Sequence, residues 1–244
     1  MRGSDILGEF LESYYDAFVL EHRYLAYLDG LKNTLLISLF AILLGIGIGI
    51  IVAMTKVSLK RTTGKNRFTR FMIALVRSIC NGYINIIRGT PVMVQLLIIY
   101  NLIFTARDTN EILVGAVCFG INSGAYVAEI VRAGIESIEK GQNEAGRSLG
   151  LNNIQTMIYI ILPQAIRNIL PALGNEFISL IKETSVAGAI AVTDLTKAAQ
   201  YIGSRTYKPL PPLIITAVFY LIIVLGLTKF LGMLERRMSQ GDKH

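Results

Sequence analysis

The segment NTLLISLFAILLGIGIGIIVAM, Asn33 to Met54, runs 22 residues without a charged side chain. As a helix it extends about 33 Å at about 1.5 Å per residue, enough to cross the hydrocarbon core of a bilayer. Further runs of this kind follow in a chain of 244 residues that is 52% hydrophobic and 17% charged, with a mean hydropathy of +0.52. These values describe an integral membrane protein with one membrane domain. The expected fold class is all-α, with about five transmembrane helices. Gly45, Gly47 and Gly49 lie inside the span, which excludes a nucleotide-binding loop. Gly45 and Gly49 have the small-xxx-small spacing that lets two helices approach closely.

The stretch Lys56 to Arg70 holds six basic residues and no acid. Short basic connections stay on the cytoplasmic side, so this segment fixes the topology. Its TGKN is not a phosphate-binding motif, because no Ser or Thr follows the lysine. A second span lies within Phe71 to Thr105. It reads as an amphipathic approach through about Ile87 and a spanning part from Thr90, kinked at Pro91. A third runs from about Ile112 to Arg132 and a fourth from about Pro171 to Ala191. The fourth is weak by hydropathy because it contains Glu176, Lys182 and Glu183. A fifth covers Leu213 to Leu234. Five spans place the N-terminus outside and the C-terminus inside. Lys and Arg number 14 in the segments then predicted inside (56–70, 132–170, 229–244) and 7 in those predicted outside (1–32, 105–111, 193–212). Residues 1–30 form an aromatic-rich amphipathic segment, either lying at the membrane interface or packed as a lid on the first span.

Several function classes are excluded. The net charge of +7 follows from the cytoplasmic loops, and no nucleic-acid motif accompanies it. Cys80 and Cys118 form no C-x-x-C pair, and His22 and His244 lie far apart, so no metal site is expected. No cleavable signal peptide is read in MRGSDILGEFLESYYDAF. A membrane enzyme would need a clustered catalytic set, and none is visible.

Between the third and fourth spans lies a polar region, Ala133 to Leu170. Ile135, Ile138, Ala145 and Leu149 alternate at helical spacing with Glu136, Glu139, Lys140, Gln142, Glu144 and Arg147. Gly150 is a helix stop, and Asn152 or Asn153 caps a second helix through IQTMIYIIL to Pro163. The prediction is a cytoplasmic helix–turn–helix; a solvated connection is the alternative.

This region resembles the signature of bacterial ABC importer permeases: Glu-Ala-Ala, three residues, Gly, nine residues, then Ile-x-Leu-Pro. Here it reads Glu144-Ala145-Gly146, Gly150-Leu151 and Ile160-Ile161-Leu162-Pro163. Gly146 replaces the second alanine, which keeps a small residue and gives up helix propensity. Three further segments resemble the polar amino-acid branch of that family, the histidine/glutamine permease-like group. They are Arg88-Gly89-Thr90-Pro91 with Gln95, Asn122 to Tyr126 with Glu129 and Arg132, and LPALGNEFISLIKETSV from Leu170. The resemblance spans residues 31–237, with the coupling loop at about 133–165 and a cytoplasmic tail at 238–244. It implies the ABC type I importer permease fold in the bacterial inner membrane. It also implies a cytoplasmic ATPase dimer gripping the hairpin, with ATP and Mg on that partner and no cofactor on this chain. A second permease (the same chain or a paralogue), an extracytoplasmic solute-binding protein, membrane lipid and an amino-acid substrate complete the set. The competing reading is an ion-coupled secondary transporter or channel. That class usually shows more spans or an internal repeat, and no repeat is evident.

Charges inside spans are unfavourable by roughly 2.5–3.5 kcal/mol each, so they face a cavity or one another. Glu129 and Arg132 stand three apart on one helix face and read as a pair, with a pore-lining role as the alternative. Arg88 either holds a helix break together or lines the path. Glu183 is an acceptor for a substrate ammonium, and Lys182, Thr184 or Ser185 are donors for its carboxylate. Adjacent Lys182 and Glu183 point about 100° apart, so an inter-subunit ion pair is the other reading. Gln95, Asn122, Ser123 and Tyr126 are secondary candidates, against small-residue helix packing.

Overall fold

The computed structural model describes residues 3–61, 66–104 and 109–240. Residues 62–65 of the basic stretch, 105–108 of the short connection after the second span, and 241–244 of the tail lie outside the described residues. Among the described residues the regular structure is all helical. Four helices are long and apolar enough to cross a membrane, or five when one sharply bent pair counts as a span.

Helix α2, Tyr24–Arg61, is 38 residues long. It therefore begins nine residues before the predicted first span and extends about 57 Å, well past the hydrocarbon core. It packs along α5, Glu111–Glu136, which is buried over most of its length. The predicted glycine spacing is what brings them together. A Cβ on Gly45 would stand 3.0 Å from Ser123 Oγ, and one on Gly49 would stand 2.5 Å from Val127 Cγ1 and 2.9 Å from the Ala128 amide. Around this pair Ile37, Leu96, Phe119, Val127, Leu180 and Ile190 form the main core.

The second span is two helices, α3 (Arg67–Gly89) and α4 (Val92–Ile103), bent by 119°. The break falls where it was predicted: Thr90 and Pro91 are both extended, because a residue before proline is driven out of the helical region. Further boundaries differ from expectation. The third span continues to Glu136 rather than Arg132, so the chain breaks at 137–139 instead of running helical from Ile135. The fourth begins far upstream of Pro171: α7 (Asn153–Thr156), a π-turn (Met157–Ile161) and α8 (Leu162–Glu183) form one rod, extended by a 3₁₀ segment, Thr184–Ile190. Pro171 thus lies inside a helix. The π-turn sits just before Pro163, which lacks an N–H; a widened turn absorbs the missing bond. The last span, α10, is Leu210–Gln240.

The segment between the last two spans, for which only an outside location was predicted, contains a helix, α9, Leu195–Thr206. Asp194 caps it, accepting from the Thr196 and Lys197 amides at 2.9 and 3.1 Å. The signals were present: an Asp N-cap, then Leu195, Ala198, Ala199 and Ile202 at helical spacing, all buried. Asn33 Nδ2 donates to the Thr193 carbonyl at 2.9 Å, and Glu111 Oε2 accepts from the Thr193 amide at 2.8 Å. These bonds tie α2 and α5 to the entry of α9. The N-terminal segment forms α1, Gly3–Phe18, which folds back on α9 and α10. Phe18 and Tyr27 pack on Phe219, and Tyr27 is fully buried, while Phe10, Leu11 and Tyr15 remain exposed.

Candidate functional site

Two regions carry the predicted functional residues. The first is the polar hairpin. Helix α6, Lys140–Ser148, ends in a Schellman motif: the Leu151 amide donates to the Gly146 carbonyl at 3.1 Å, and the Gly150 amide to the Arg147 carbonyl at 3.0 Å. Gly150 has φ +81°, the left-handed conformation that this motif requires. Asn152 then opens the returning arm through a reciprocal capping box with Gln155. The two arms touch at Gly146, whose Cβ would fall 2.7 Å from Thr156 Cγ2. Thr156 is fully buried, and its hydroxyl donates to the Asn152 carbonyl at 3.0 Å. Gly146 at the predicted alanine position is therefore a packing choice. The outward side presents Glu144, Ala145, Arg147, Leu149, Gly150 and Ile154, all exposed, with Leu149 at 77% and Ile154 at 71%. Leu151 is half-buried, and Pro163 lies in the first turn of α8. Leu149 and Ile154 thus leave large apolar side chains exposed on an otherwise polar hairpin.

The second region is a polar cleft of about 660 Å³ between α3, α5 and α8, bounded by Arg88, Tyr126, Glu129, Arg132, Asn168 and Glu176 among others. The Arg88 guanidinium lies 5.5 Å from the Tyr126 ring centroid and 3.9 Å from a Glu129 oxygen. Glu129 is already saturated. It accepts from Lys56 Nζ at 3.0 Å and from Arg132 Nη2 at 2.7 Å, which makes the predicted pair a three-residue network that ties α2 to α5. Arg132 also bonds Glu136, which accepts from Lys60 at 2.8 Å. Lys56 and Lys60 served in the sequence only as topology signals. Their pairing with α5 depends on helix register that the sequence does not display.

Deeper in the bundle, Glu176 accepts from the buried Ser123 hydroxyl at 2.9 Å, and Glu183 lies close enough to act electrostatically on Tyr126 and Glu176. Neither carboxylate has a cation within ion-pair distance among the described residues. Lys182 is exposed on the other side of α8, as the 100° offset predicts, and Ser185 is half-buried. Thr184 is fully buried and donates to the Ile181 carbonyl at 2.7 Å, so it stands off the cleft wall. Gln95 and Asn122 are likewise buried and engaged. The Gln95 amide nitrogen donates to the Ile87 and Thr90 carbonyls at 2.6 and 2.8 Å, and its oxygen accepts from Asn122 Nδ2 at 2.6 Å. These bonds satisfy the carbonyls that the α3–α4 break leaves open and pin the break to α5.

Comparison with known proteins places these features in a family. Residues 45–240 match the model for "binding-protein-dependent transport system inner membrane component". The glutamine transport system permease protein GlnP of Escherichia coli K12 is 40% identical over 215 residues, covering 87% of this chain and 92% of that one. A crystal structure of an amino acid ABC transporter with histidines superposes with a TM-score of 0.76 at 41% identity, covering 87% of this chain and 94% of its own. An inward-facing structure of the MetNI methionine ABC transporter superposes with a TM-score of 0.71 at 18% identity and shares the fold.

Proposed function

Because this chain belongs to the binding-protein-dependent transport system inner membrane components, we propose that it is the membrane-spanning subunit of an ATP-driven amino-acid uptake system. Its fold is the ABC type I importer permease fold, and it is a multi-pass inner-membrane protein. The chain forms the translocation path with a second permease copy or paralogue and alternates between inward- and outward-facing states. ATP and Mg bind on a separate cytoplasmic ATPase dimer, and an extracytoplasmic solute-binding protein delivers the substrate. The N-terminus lies outside and the C-terminus inside, which puts the hairpin and the basic end of α2 on the cytoplasmic side.

The observation that carries this reading is the hairpin: a capped, Schellman-terminated element whose outward side exposes Glu144, Leu149 and Ile154. A rigid lever of this kind transmits motion from a partner. The cleft supplies the rest of the path. Arg88 is a donor for a substrate carboxylate, and Glu176 and Glu183 are acceptors for its ammonium, with Ser123 and Tyr126 setting their surroundings. Gln95 and Asn122 hold the broken helix that carries Arg88. The relative's name points to glutamine as a substrate to try first.

The test reverses the charge at the docking surface. Glu144→Lys is expected to weaken ATPase binding and lower substrate-stimulated ATP hydrolysis in proteoliposomes, while the chain stays folded. Normal stimulation in that variant, or uptake by this chain alone without nucleotide, refutes the proposal.

A further inference from the structure

Helix α3 has two unlike sides. Arg77, Asn81, Asn85 and Arg88 recur at helical spacing and line a cavity of about 400 Å³ together with Lys56 and Lys60 of α2 and Glu129, Arg132 and Glu136 of α5. On the opposite side Phe68, Leu75, Ile79 and Ile86 are exposed, Phe68 at 74% and Ile86 at 64%. The exposed apolar side of this helix faces the acyl chains. The cavity lies beside the charged last turns of α2, which open the acid-free stretch Lys56 to Arg70, and beside the end of α5 at Glu136, so its Lys60–Glu136 end sits at headgroup depth.

The cavity is electrically unbalanced. Five cations line it (Lys56, Lys60, Arg77, Arg88 and Arg132) against two carboxylates, an excess of three positive charges. Both carboxylates are already bonded within the network, Glu129 by Lys56 and Arg132 and Glu136 by Lys60 and Arg132. Arg77 has no carboxylate within ion-pair distance among the described residues and gives one N–H to the Leu59 carbonyl at 2.7 Å. The Lys60 side chain is 73% exposed. A fork of guanidinium donors beside a flexible ammonium suits a phosphate oxyanion.

We propose that this cavity binds the phosphodiester headgroup of an anionic phospholipid of the cytoplasmic leaflet. Basic pockets between spans on the cytoplasmic side recognise such headgroups, and that leaflet supplies them. The exposed apolar side of α3 sets the helix against lipid, so headgroups are the anions at hand. The proposal rests on the cytoplasmic placement of the basic end of α2 and is read by binding, so it stands or falls apart from transport.

The full-length purified chain is titrated with phosphatidylglycerol, with phosphatidylcholine of the same acyl chains, and with inorganic phosphate, bound lipid being counted by native mass spectrometry. Phosphatidylglycerol is expected to be retained over phosphatidylcholine. Lys60→Gln and Arg77→Gln are each expected to weaken it by about fivefold. Arg67→Gln, on the same basic end but outside the cavity, is expected to leave retention unchanged. Equal retention of the two lipids, an equal loss in the Arg67 variant, or displacement by millimolar inorganic phosphate overturns the assignment. Lys60→Gln leaves Glu136 paired with Arg132, and Arg77→Gln breaks no ion pair, so both variants are expected to keep the wild-type melting temperature.

Discussion

Restoring alanine at position 146 sets two effects against each other. Alanine in a helix is favoured over glycine by about 1 kcal/mol, so propensity alone predicts a firmer hairpin. Packing predicts the opposite. The new Cβ would stand 2.7 Å from Thr156 Cγ2, 2.9 Å from its Oγ1 and 3.0 Å from Ile160 Cδ1. The Ile160 methyl end can yield. Thr156 cannot: it is fully buried, β-branched and bonded through its hydroxyl to the Asn152 carbonyl. Moving it sacrifices a bond worth about 1 kcal/mol, and overpacking of this kind costs about 1–3 kcal/mol. The sum favours glycine by about 1–3 kcal/mol, on the order of tenfold or more in the opening equilibrium between α6 and the returning arm. Hydrogen exchange of the peptide covering residues 140–156 measures that equilibrium, and Gly146→Ala is expected to exchange about tenfold faster. Adding Thr156→Ser removes the offending methyl and is expected to restore protection to the wild-type level or above. Slower exchange in the single variant, or no rescue in the double, refutes the packing argument.

Three further outcomes are expected. Gln95→Ala strips the bonds that close the α3–α4 break and leaves the Asn122 amide buried without its partner; a loss of about 2–3 kcal/mol is expected in thermal or denaturant unfolding. Gly150→Ala meets no atom within 4 Å, so its penalty is conformational alone, about 1–2 kcal/mol of hairpin stability by hydrogen exchange. Glu183→Gln is expected to abolish most substrate uptake while the subunits still co-purify, and unchanged uptake would remove Glu183 from the path.

The chain's helical elements were largely legible because their signals are local. Charge-free length announced α2, the Thr90–Pro91 pair announced the break in the second span, and Gly150 with Asn152 announced the turn of the hairpin. The hairpin's outward side was less so: Ala145 and Leu149, read as its apolar positions, are exposed, and Gly146 is buried. Boundaries were less legible too. The fourth span joins the returning arm through a π-turn, and hydropathy cannot see a rod that is polar at one end and apolar at the other. Helix α9 was overlooked although its cap and periodicity are plain, because the segment between the last two spans was read only for its charge.

The roles of the polar side chains divided differently. The sequence by itself determined that Arg88, Gln95, Asn122, Glu129, Glu176 and Glu183 sit inside apolar surroundings and must be satisfied there, because an unpaired polar group in hydrocarbon is expensive wherever it lies. Only the tertiary structure decided which of them are spent on the protein itself. Gln95 and Asn122 bond each other across α4 and α5, and Glu129 is saturated by Lys56 from a helix 73 residues away in sequence. Glu176 and Glu183, by contrast, keep no cation among the described residues. That allocation follows from the register of α2, α3 and α8 against α5; the glycine spacing and the proline break are visible in single segments, but which residues of another helix they meet is not.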